Sequence, residues 1–385
     1  MLIKNYARIA GTAPRRQALK IIESGLRAIE TKKVMQERVR LDGSFLKVIS
    51  TGNRAVSIRL PKRIFVIGFG KASSEMAKGL ERILKKRISG GLVISTKKAG
   101  LLIEEVEGTH PLPSLKNIRA TKKIIRLMKS LEKDDLALCL ISGGGSSLLC
   151  HPKVGLREYL KIIRKKYRDG SSIQELNKVR KKLSNVKDGR LAALTKARVV
   201  SLIFSDVLDD DISTIASGPT CQNAENIVLL NSALALEAMA KKAVSLGLEP
   251  KAHLRVSGEA RITGRRLLKK RGDCILFGGE TTVTVTGKGT GGRNQELCLG
   301  AIESISGTGS CMAAVNTDGL DGTSMAAGAI IDGSSLQKAK SKELSIKASL
   351  QSNDSYSFFR KMKDLIITGP TGSNVADIGV IIRRP

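Results

Sequence analysis

LALCLISGGGSSLL, residues 136–149, places six apolar residues directly before a serine, three glycines and two more serines. A short, continuous apolar run is typical of a strand buried on both faces, as in a parallel sheet covered by helices. Three consecutive glycines are conformationally expensive for a simple turn, but they let the backbone approach an anion closely. The stretch therefore predicts a central strand followed by an anion-binding loop, whose candidate residues are Ser142, Gly143, Gly144, Gly145, Ser146 and Ser147.

Apolar runs of the same kind recur along the chain and alternate with helical stretches. They read RIFVIGFG, GGLVIST, VVSLIFSDV, CILFGGETTVTVTG, CMAAVNTDG and LIITGPTG. This alternation predicts doubly wound α/β layers, and the length of the chain favours two domains, residues 1–240 and 241–385, with the active site in the cleft between them. A single helix is expected over 223–247, and ligand-binding loops are expected at the carboxyl edge of the strands.

Composition limits the class of partner. The 385 residues include 66 Lys and Arg against 35 Asp and Glu, a net charge of +31. Such a charge raises the alternative of a nucleic-acid-binding protein, but the basic residues form short clusters on amphipathic helices. Aromatic residues make up 3% of the chain and Trp is absent, so stacking platforms are scarce and nucleic acid is not the favoured partner.

No apolar run approaches the roughly 20 residues of a membrane span, and the first 30 residues lack a signal-peptide pattern. We therefore expect no membrane partner and a cytoplasmic location. The six cysteines form no C-x-x-C pair, which favours reduced, structural thiols. The oligomeric state stays open, with a homodimer as one candidate.

Two further segments could receive an anion. VIGFGKASSEMAKGL places Lys71 after Gly68 and Gly70, at the start of a predicted helix. NKVRKKLSNVKDGRL concentrates basic residues on one or two helical turns. Its candidate phosphate-binding residues are Asn177, Lys178 and Arg180. A surface lysine and a solvated helix face remain the alternatives.

VTGKGTGGRNQELCLG, residues 285–300, satisfies G-x-G-x-x-G with Gly287, Gly289 and Gly292. The acidic residue of a dinucleotide site is not clearly placed, because Asp318 falls about 26 residues further on instead of ~20. An NAD(P)H-dependent hydroxypyruvate reductase therefore stays a weaker alternative. Arg293, directly after the last glycine, suits bidentate binding of a carboxylate or phosphate.

Acidic residues follow two of the predicted strands. Asp206 ends the run VVSLIF, and Asp318 and Asp321 follow CMAAVN. Strand-end carboxylates are common ligands of hard cations and common general bases, although Asp-Gly pairs also form turns. Anion-binding loops, a lysine, an arginine and carboxylates at one sheet edge together indicate phosphoryl transfer.

Nine segments, taken in order, resemble the glycerate 2-kinase family, whose C-terminal half is the MOFRL domain. They are GFGKASSEMA, THPLP, SGGGSSLL, LNKVRKKLSNVKDGRLA, SDVLDDDISTIASGPT, GGETTVTVTGKGTGGRNQE, NTDGLDGTSMAAGAIIDG, NDSYSFF and LIITGPTGSNVADIGVIIRR. The resemblance implies phosphorylation of D-glycerate to 2-phosphoglycerate by ATP, with Mg²⁺ or another divalent cation. It also implies two α/β/α (Rossmann-like) domains with the active site between them.

The resemblance also implies roles for single residues. Lys71 and Arg293 would neutralise the transferring phosphoryl group or hold the glycerate carboxylate. Asp206 would accept the hydroxyl proton or help hold the metal, with Asp318 as a second candidate ligand, and the SGGGSS loop would bind nucleotide phosphates. The candidate substrate contacts are Glu280, Thr281, Asn294 and Gln295.

Overall fold

The computed structural model describes residues 1–170, 173–207 and 209–383. They divide into two compact units, each with its own sheet. The middle unit comprises residues 31–231, and the terminal unit comprises residues 1–30 together with 232–385. Among the described residues, no helix is both long and apolar enough to span a bilayer.

The helices of these residues are α1 (Tyr6–Ile9), α2 (Ala13–Ala28), α3 (Thr31–Arg38), α4 (Ser73–Leu84), α5 (Leu115–Ser130), α6 (Gly145–Leu148), α7 (Leu156–Arg168), α8 (Ile173–Lys182), α9 (Ser232–Val244), α10 (Ala260–Leu268), α11 (Arg293–Ile305), α12 (Ser335–Lys340), α13 (Ile346–Gln351) and α14 (Ser355–Met362).

The strands are β1 (Val39–Asp42), β2 (Phe45–Ile49), β3 (Ala55–Arg59), β4 (Ile64–Phe69), β5 (Ile88–Ser95), β6 (Glu104–Glu107), β7 (Leu136–Ile141), β8 (Arg198–Phe204), β9 (Glu225–Leu230), β10 (Pro250–Glu259), β11 (Cys274–Thr282), β12 (Cys311–Asn316), β13 (Gly328–Asp332), β14 (Leu365–Ile366) and β15 (Asp377–Ile382).

The middle unit is built on a six-stranded parallel sheet in the order β6-β5-β4-β7-β8-β9. Numbered from β4, this is the 3-2-1-4-5-6 order of the Rossmann fold. The order reverses between β4 and β7, and ligands of such sheets bind at that switch point, beyond the carboxyl ends of the strands. Every residue of β7 is buried, which confirms the central strand predicted from LALCLI. A separate antiparallel sheet, β1-β2-β3, completes the unit.

The terminal unit contains a mixed six-stranded sheet in the order β10-β11-β15-β12-β13-β14. Only the β10–β11 pair is parallel. Ile275 and Phe277 of β11 pack in one core with α10 and α11, while the intervening Leu276 and Gly278 face the other side. A Cβ on Gly278 would touch Leu236 of α9, so helices cover both faces and the predicted α/β/α layering is confirmed.

The N-terminal helix α2 belongs to the terminal unit, which differs from the predicted division into 1–240 and 241–385. The apolar face of α2 packs against α9 and the strands β12 and β15. Its Arg15 is buried and donates through Nε to Asp332 and through Nη1 to Asp364, at 2.5 and 2.8 Å. The physical cause is tertiary, because these carboxylates lie more than 300 residues further along the chain.

Residues 223–247 do not form one helix, as the sequence pattern had suggested. Glu225–Leu230 is the edge strand β9, and α9 begins only at Ser232. The β-branched Ile227 and Val228 pair with β8, and sheet pairing overrides the helical periodicity of this stretch.

Candidate active site

The two glycine loops of the middle unit meet at the switch point between β4 and β7. The backbone N–H of Lys71 donates to the Gly143 carbonyl at 2.8 Å, and the N–H of Ala72 donates to Ser142 Oγ at 3.0 Å. A Cβ on Gly70, whose φ is +136°, would lie 2.2 Å from Ser142 Oγ. Only glycine allows this approach, so the two predicted anion-binding loops form one cluster.

Lys71 and His110 flank the glycine loop. A Cβ on Gly144 would lie 3.0 Å from His110 Cδ2 and 3.1 Å from Lys71 Cγ. Both side chains are solvent-accessible. Partial burial of the ring, together with the charges of Lys71 and Arg180, lowers the pKa of His110, so the imidazole is neutral at neutral pH. In the sequence, the segment GTHPLP leaves His110 with either a loop-ordering or a catalytic role, and only the fold shows its basic neighbours.

Asp206 lies at the same edge of the sheet. It follows β8, the neighbour of β7, and is half-buried. Its carboxylate is so close to the loop that a Cβ on Gly143 would come within 2.4 Å of Asp206 Oδ2. The predicted proximity of this carboxylate to the glycine loop is therefore present in the structure.

The serines of the SGGGSS segment divide into two groups. Ser142 accepts from the backbone, as above, and Ser147 Oγ donates to the Pro111 carbonyl at 2.5 Å, so both are used within the fold. Ser146 is half-buried, and its Oγ lies 2.8 Å from Ser217 Oγ. Ser217 donates in turn to Asn177 Oδ1 at 3.0 Å. Ser217 escaped sequence reasoning, since nothing in its local pattern marks it.

Helix α8 presents its predicted residues on different faces. Asn177 and Arg180 are both 7% exposed, whereas Lys178 is exposed. Asn177 contacts Ser217, and Arg180 acts electrostatically on His110. The buried face of α8 thus contributes to the loop cluster, and Lys178 points to solvent.

Arg293 of the terminal unit is held by two carboxylates. Its Nε donates to Asp377 Oδ2 and its Nη1 donates to Glu280 Oε1, both at 2.6 Å. The Glu280 side chain is 50% exposed, whereas that of Asp377 is 7% exposed. Burial raises the pKa of Asp377, and the guanidinium of Arg293 opposes that rise. Arg293 therefore has one buried, fixed partner and one partner that solvent or a ligand can reach.

Asn294 and Gln295, predicted as substrate contacts, are buried and bind Asp321 instead. The backbone N–H groups of both residues donate to the Asp321 carboxylate at 3.1 and 2.9 Å, and their side-chain amides donate to the same group. Asp321 thus caps α11, and these N–H groups already have an anion from the chain itself. Thr281 is also buried, at 4% exposure.

The glycines of residues 287–292 serve close packing between loops. A Cβ on Gly287 would lie 2.2 Å from the Ser352 carbonyl oxygen, and one on Gly292 would lie 2.3 Å from the Asp321 backbone. The N–H of Gly289 donates to the Ser352 carbonyl at 2.8 Å. Asn353 accepts from two N–H groups of the same loop through its side chain. The G-x-G-x-x-G spacing is therefore explained without a dinucleotide.

Asp318 closes a local turn, accepting from the Leu320 N–H at 2.9 Å. Across residues 1–170, 173–207 and 209–383, no three His, Cys, Asp or Glu side chains lie close enough together to hold a metal ion.

Two family models match this chain. The one described as "Domain of unknown function (DUF4147)" covers residues 17–249, and the MOFRL family covers residues 273–377. A glycerate 2-kinase from Pyrococcus horikoshii is 30% identical over 94% of this chain and 96% of its own length. The chain belongs to the glycerate 2-kinase family. A D-glycerate 2-kinase from Thermotoga maritima is 36% identical over 86% of this chain and 94% of its own length.

Family membership agrees with the fold. The crystal structure of a glycerate kinase from Thermotoga maritima matches with a TM-score of 0.84 and 31% identity, covering 96% of this chain and 99% of that one. The loop cluster with Lys71, His110 and Asp206 lies within the segment of this chain that matches DUF4147. Arg293 and Asp377 lie within the segment that matches the MOFRL family.

Proposed function

We propose that this chain is a glycerate 2-kinase that transfers the γ-phosphoryl group of ATP to the 2-hydroxyl of D-glycerate. The observation that carries the proposal is the loop cluster at the switch point, where Lys71, His110 and Asp206 surround Gly143–Ser146. Phosphoryl transfer depends mainly on positioning and on neutralising charge, and this cluster offers both.

The nucleotide phosphates bind at this cluster in the proposal. Gly144 is half-buried and so leaves part of its backbone accessible, and Ser146 offers a half-buried hydroxyl. Lys71 and Arg180 supply positive charge near the loop, since both lower the pKa of His110. A neutral His110 can donate a hydrogen bond to a phosphate oxygen or accept the proton of a hydroxyl.

The residues present fit Mg²⁺ delivered with the nucleotide. Mg²⁺ is commonly bound through one or two carboxylates, waters and substrate phosphates instead of a cage made by protein alone. Asp206, with its carboxylate beside Gly143, is the residue that would hold it. When bound, the cation would neutralise charge on the phosphate oxygens. If Asp206 is the ligand, Asp206→Asn raises the Mg²⁺ concentration needed for half-maximal activity. If Asp206 accepts the hydroxyl proton, the variant changes the pH profile of kcat instead.

Arg293 binds the carboxylate of glycerate in this proposal. The guanidinium keeps Asp377 as its buried partner and exchanges the half-exposed Glu280 for the substrate carboxylate. Such an exchange replaces one charge-assisted hydrogen bond by another, and a fixed guanidinium suits a planar carboxylate.

The decisive experiment is a coupled assay on the purified chain with ATP, Mg²⁺ and D-glycerate. Enolase converts 2-phosphoglycerate directly, so signal without phosphoglycerate mutase supports transfer to the 2-hydroxyl. Signal that requires the mutase would show transfer to the 3-hydroxyl and refute the regiochemistry. Oxidation of NADH with hydroxypyruvate, measured in parallel, would support the reductase alternative.

A further inference from the structure

Lys187 is a buried lysine behind the loop cluster. Only 1% of Lys187 is exposed to solvent, and its Nζ donates to the carbonyls of Leu149 and Ala216 at 2.9 and 3.0 Å. Within the described part of the chain, no carboxylate forms an ion pair with it. Both acceptors are neutral carbonyl groups, so the ammonium is buried without a counter-charge.

The surroundings of Lys187 add no negative charge. The ionisable groups that act on it are Cys150 and Arg180, and burial is the largest influence on it. Burial also raises the pKa of the Cys150 thiol to about 11, so that group is neutral. Burial and the charge of Arg180 lower the pKa of Lys187 to about 7. A buried cation without a partner is costly, so the amine is only partly protonated near neutral pH, and an anion bound nearby would favour its charged form.

Lys187 belongs to a row of three donors that hold the segment Ala216–Gly218. Its Nζ bonds the Ala216 carbonyl, the Asp188 N–H donates to the Ser217 carbonyl at 3.1 Å, and the Gly189 N–H donates to the Gly218 carbonyl at 2.6 Å. Ala216 and Ser217 have φ values of +52° and +64°. Side chains with a Cβ disfavour this left-handed region, so the conformation depends on such outside bonds.

The segment held in this way reaches the loop cluster. Ser217 Oγ lies 2.8 Å from Ser146 Oγ, and a Cβ on Gly145 would lie 2.7 Å from Ala216 Cβ. The other acceptor of Lys187, Leu149, directly follows α6, which contains Gly145 and Ser146. One ammonium therefore connects both backbone segments that form the back of the cluster.

We propose that Lys187 is a positioning residue whose buried charge is neutralised by the phosphate that binds at Gly143–Ser146, so that it raises phosphate affinity without touching the ligand. The proposal rests on the proposed function in that the phosphate is the one of the nucleotide. It assigns to Lys187 a long-range electrostatic role in addition to its hydrogen bonds.

Two substitutions separate charge from hydrogen bonding. Lys187→Gln keeps N–H donors for the two carbonyls and removes the charge, whereas Lys187→Arg keeps both. Inorganic phosphate and ADP, titrated by calorimetry at neutral pH, report affinity independently of catalysis. Because a unit charge acts over several ångströms in a partly buried site, we expect Lys187→Gln to bind both probes at least ~10-fold more weakly. Lys187→Arg should stay within about threefold of the unsubstituted chain.

Steady-state kinetics supply a second readout. The KM for ATP should rise in Lys187→Gln while the KM for D-glycerate stays within about twofold, because only the phosphate site loses charge. Lys153→Met, an exposed lysine between α6 and α7, is the matched control and should change neither constant. Circular dichroism and gel filtration establish that each variant is folded.

Outcomes for Lys187 and for the kinase function are distinguishable. If Lys187→Gln is folded and binds inorganic phosphate as tightly as the unsubstituted chain, the electrostatic role is refuted, whatever the substrate. If Lys187→Gln does not fold, the Arg variant decides: tight phosphate binding supports the proposal, and a ~10-fold loss with the charge retained refutes it. If glycerate is not phosphorylated but the Gln variant loses phosphate affinity, Lys187 acts as proposed in an enzyme of another substrate.

Discussion

The backbone N–H of Lys71 donates to the carbonyl of Gly143 at 2.8 Å, which joins the loop after β4 to the loop after β7. Gly70 makes this contact feasible, since a Cβ there would overlap Ser142 Oγ and its φ of +136° disfavours other residues. We predict that Gly70→Ala lowers the free energy of unfolding by about 1–3 kcal/mol and removes kinase activity. Urea unfolding and the enolase-coupled assay measure the two effects. Gly52→Ala, where a Cβ meets nothing within 4 Å, should be neutral; equal behaviour of the two variants would contradict this packing.

Lys71 should be essential for turnover. Its exposed ammonium flanks Gly144, where the nucleotide phosphates are proposed to bind. Lys71→Met should lower kcat at least ~100-fold, because a charge that stabilises the transition state is worth a few kcal/mol. Lys182→Met, an exposed lysine at the end of α8, should turn over normally. Near-normal kcat in Lys71→Met would remove this residue from the mechanism.

Substitutions of Arg293 and Glu280 should change the binding of D-glycerate in opposite directions. If Glu280 occupies the position of the substrate carboxylate, Glu280→Gln removes a competing charge and lowers the KM for D-glycerate several-fold. Arg293→Met should lower kcat/KM at least ~100-fold, since it removes the cation. Arg265→Met, which loses a hydrogen bond to the Gly300 carbonyl, is the matched control. A raised KM in Glu280→Gln would show that Glu280 supports the substrate instead of competing with it.

Arg15 should stabilise the terminal unit, because it connects α2 to Asp332 and Asp364. Breaking a buried ion pair typically costs about 3–5 kcal/mol, and we expect Arg15→Met to lower the free energy of unfolding by that amount. Lys338 remains bound to Asp364 in the variant, so Asp364 keeps a partner and the loss of stability should not exceed that range. Arg16→Met, which loses only bonds to one part-buried and one exposed carbonyl, should cost far less.

The same cluster predicts a pH dependence. Burial would raise the pKa of Asp332, but the charge of Arg15 and hydrogen bonds from Ser334 and Arg15 lower it below the ordinary value. A lowered carboxylate pKa adds stability above the pKa of the unfolded chain, about 4, and that stability is lost as the pH falls below it. Acid unfolding monitored by circular dichroism should therefore show a smaller acid-dependent loss in Arg15→Met. An equal acid-dependent loss of stability in both proteins would show that Arg15 does not lower the pKa of Asp332.

His110 should report the arrival of phosphate. The chain has three histidines, His110, His151 and His253, so NMR resonances can be assigned with a single His110→Asn variant. We expect the pKa of His110 to lie below the ordinary value, because of partial burial and the charges of Lys71 and Arg180. Inorganic phosphate offsets those charges and should raise the His110 pKa while His253 stays unchanged. An unchanged His110 resonance at saturating phosphate would place the anion elsewhere.

Much of the architecture could be predicted from local pattern. Continuous apolar runs predicted β4, β5, β7, β8, β11 and β12, because a strand buried on both faces has no polar side. The edge strands β6, β9 and β10 were missed, since an edge strand lacks that signature and resembles a loop or helix. The small sheet β1-β2-β3 and the buried strands β13 and β15 were missed as well. The resemblance of nine segments indicated the family, which the relatives confirm. The cleft expected between the domains stays a prediction.

Lys71, Gly143 and Asp206 were predicted together at one sheet edge, and the strand order brings them there. What local pattern could not supply is the set of contacts between side chains that are distant in sequence. His110, Ser217, Lys187 and Asp377 have no local signature, because each acts through partners distant in sequence. Asn294 and Gln295 look like ligand contacts in the sequence, but their amides are satisfied by Asp321.

The sequence by itself determined most of the buried strands, which loops are rich in glycine and where charged side chains follow strands, since these depend on neighbours along the chain. Tertiary structure alone decided that the glycines before Arg293 pack against Ser352, whereas those after β7 lie against Asp206 and Lys71. The physical reason is that a glycine permits close approach without specifying what approaches. That partner is set by strand order and packing, which connect residues far apart in the chain.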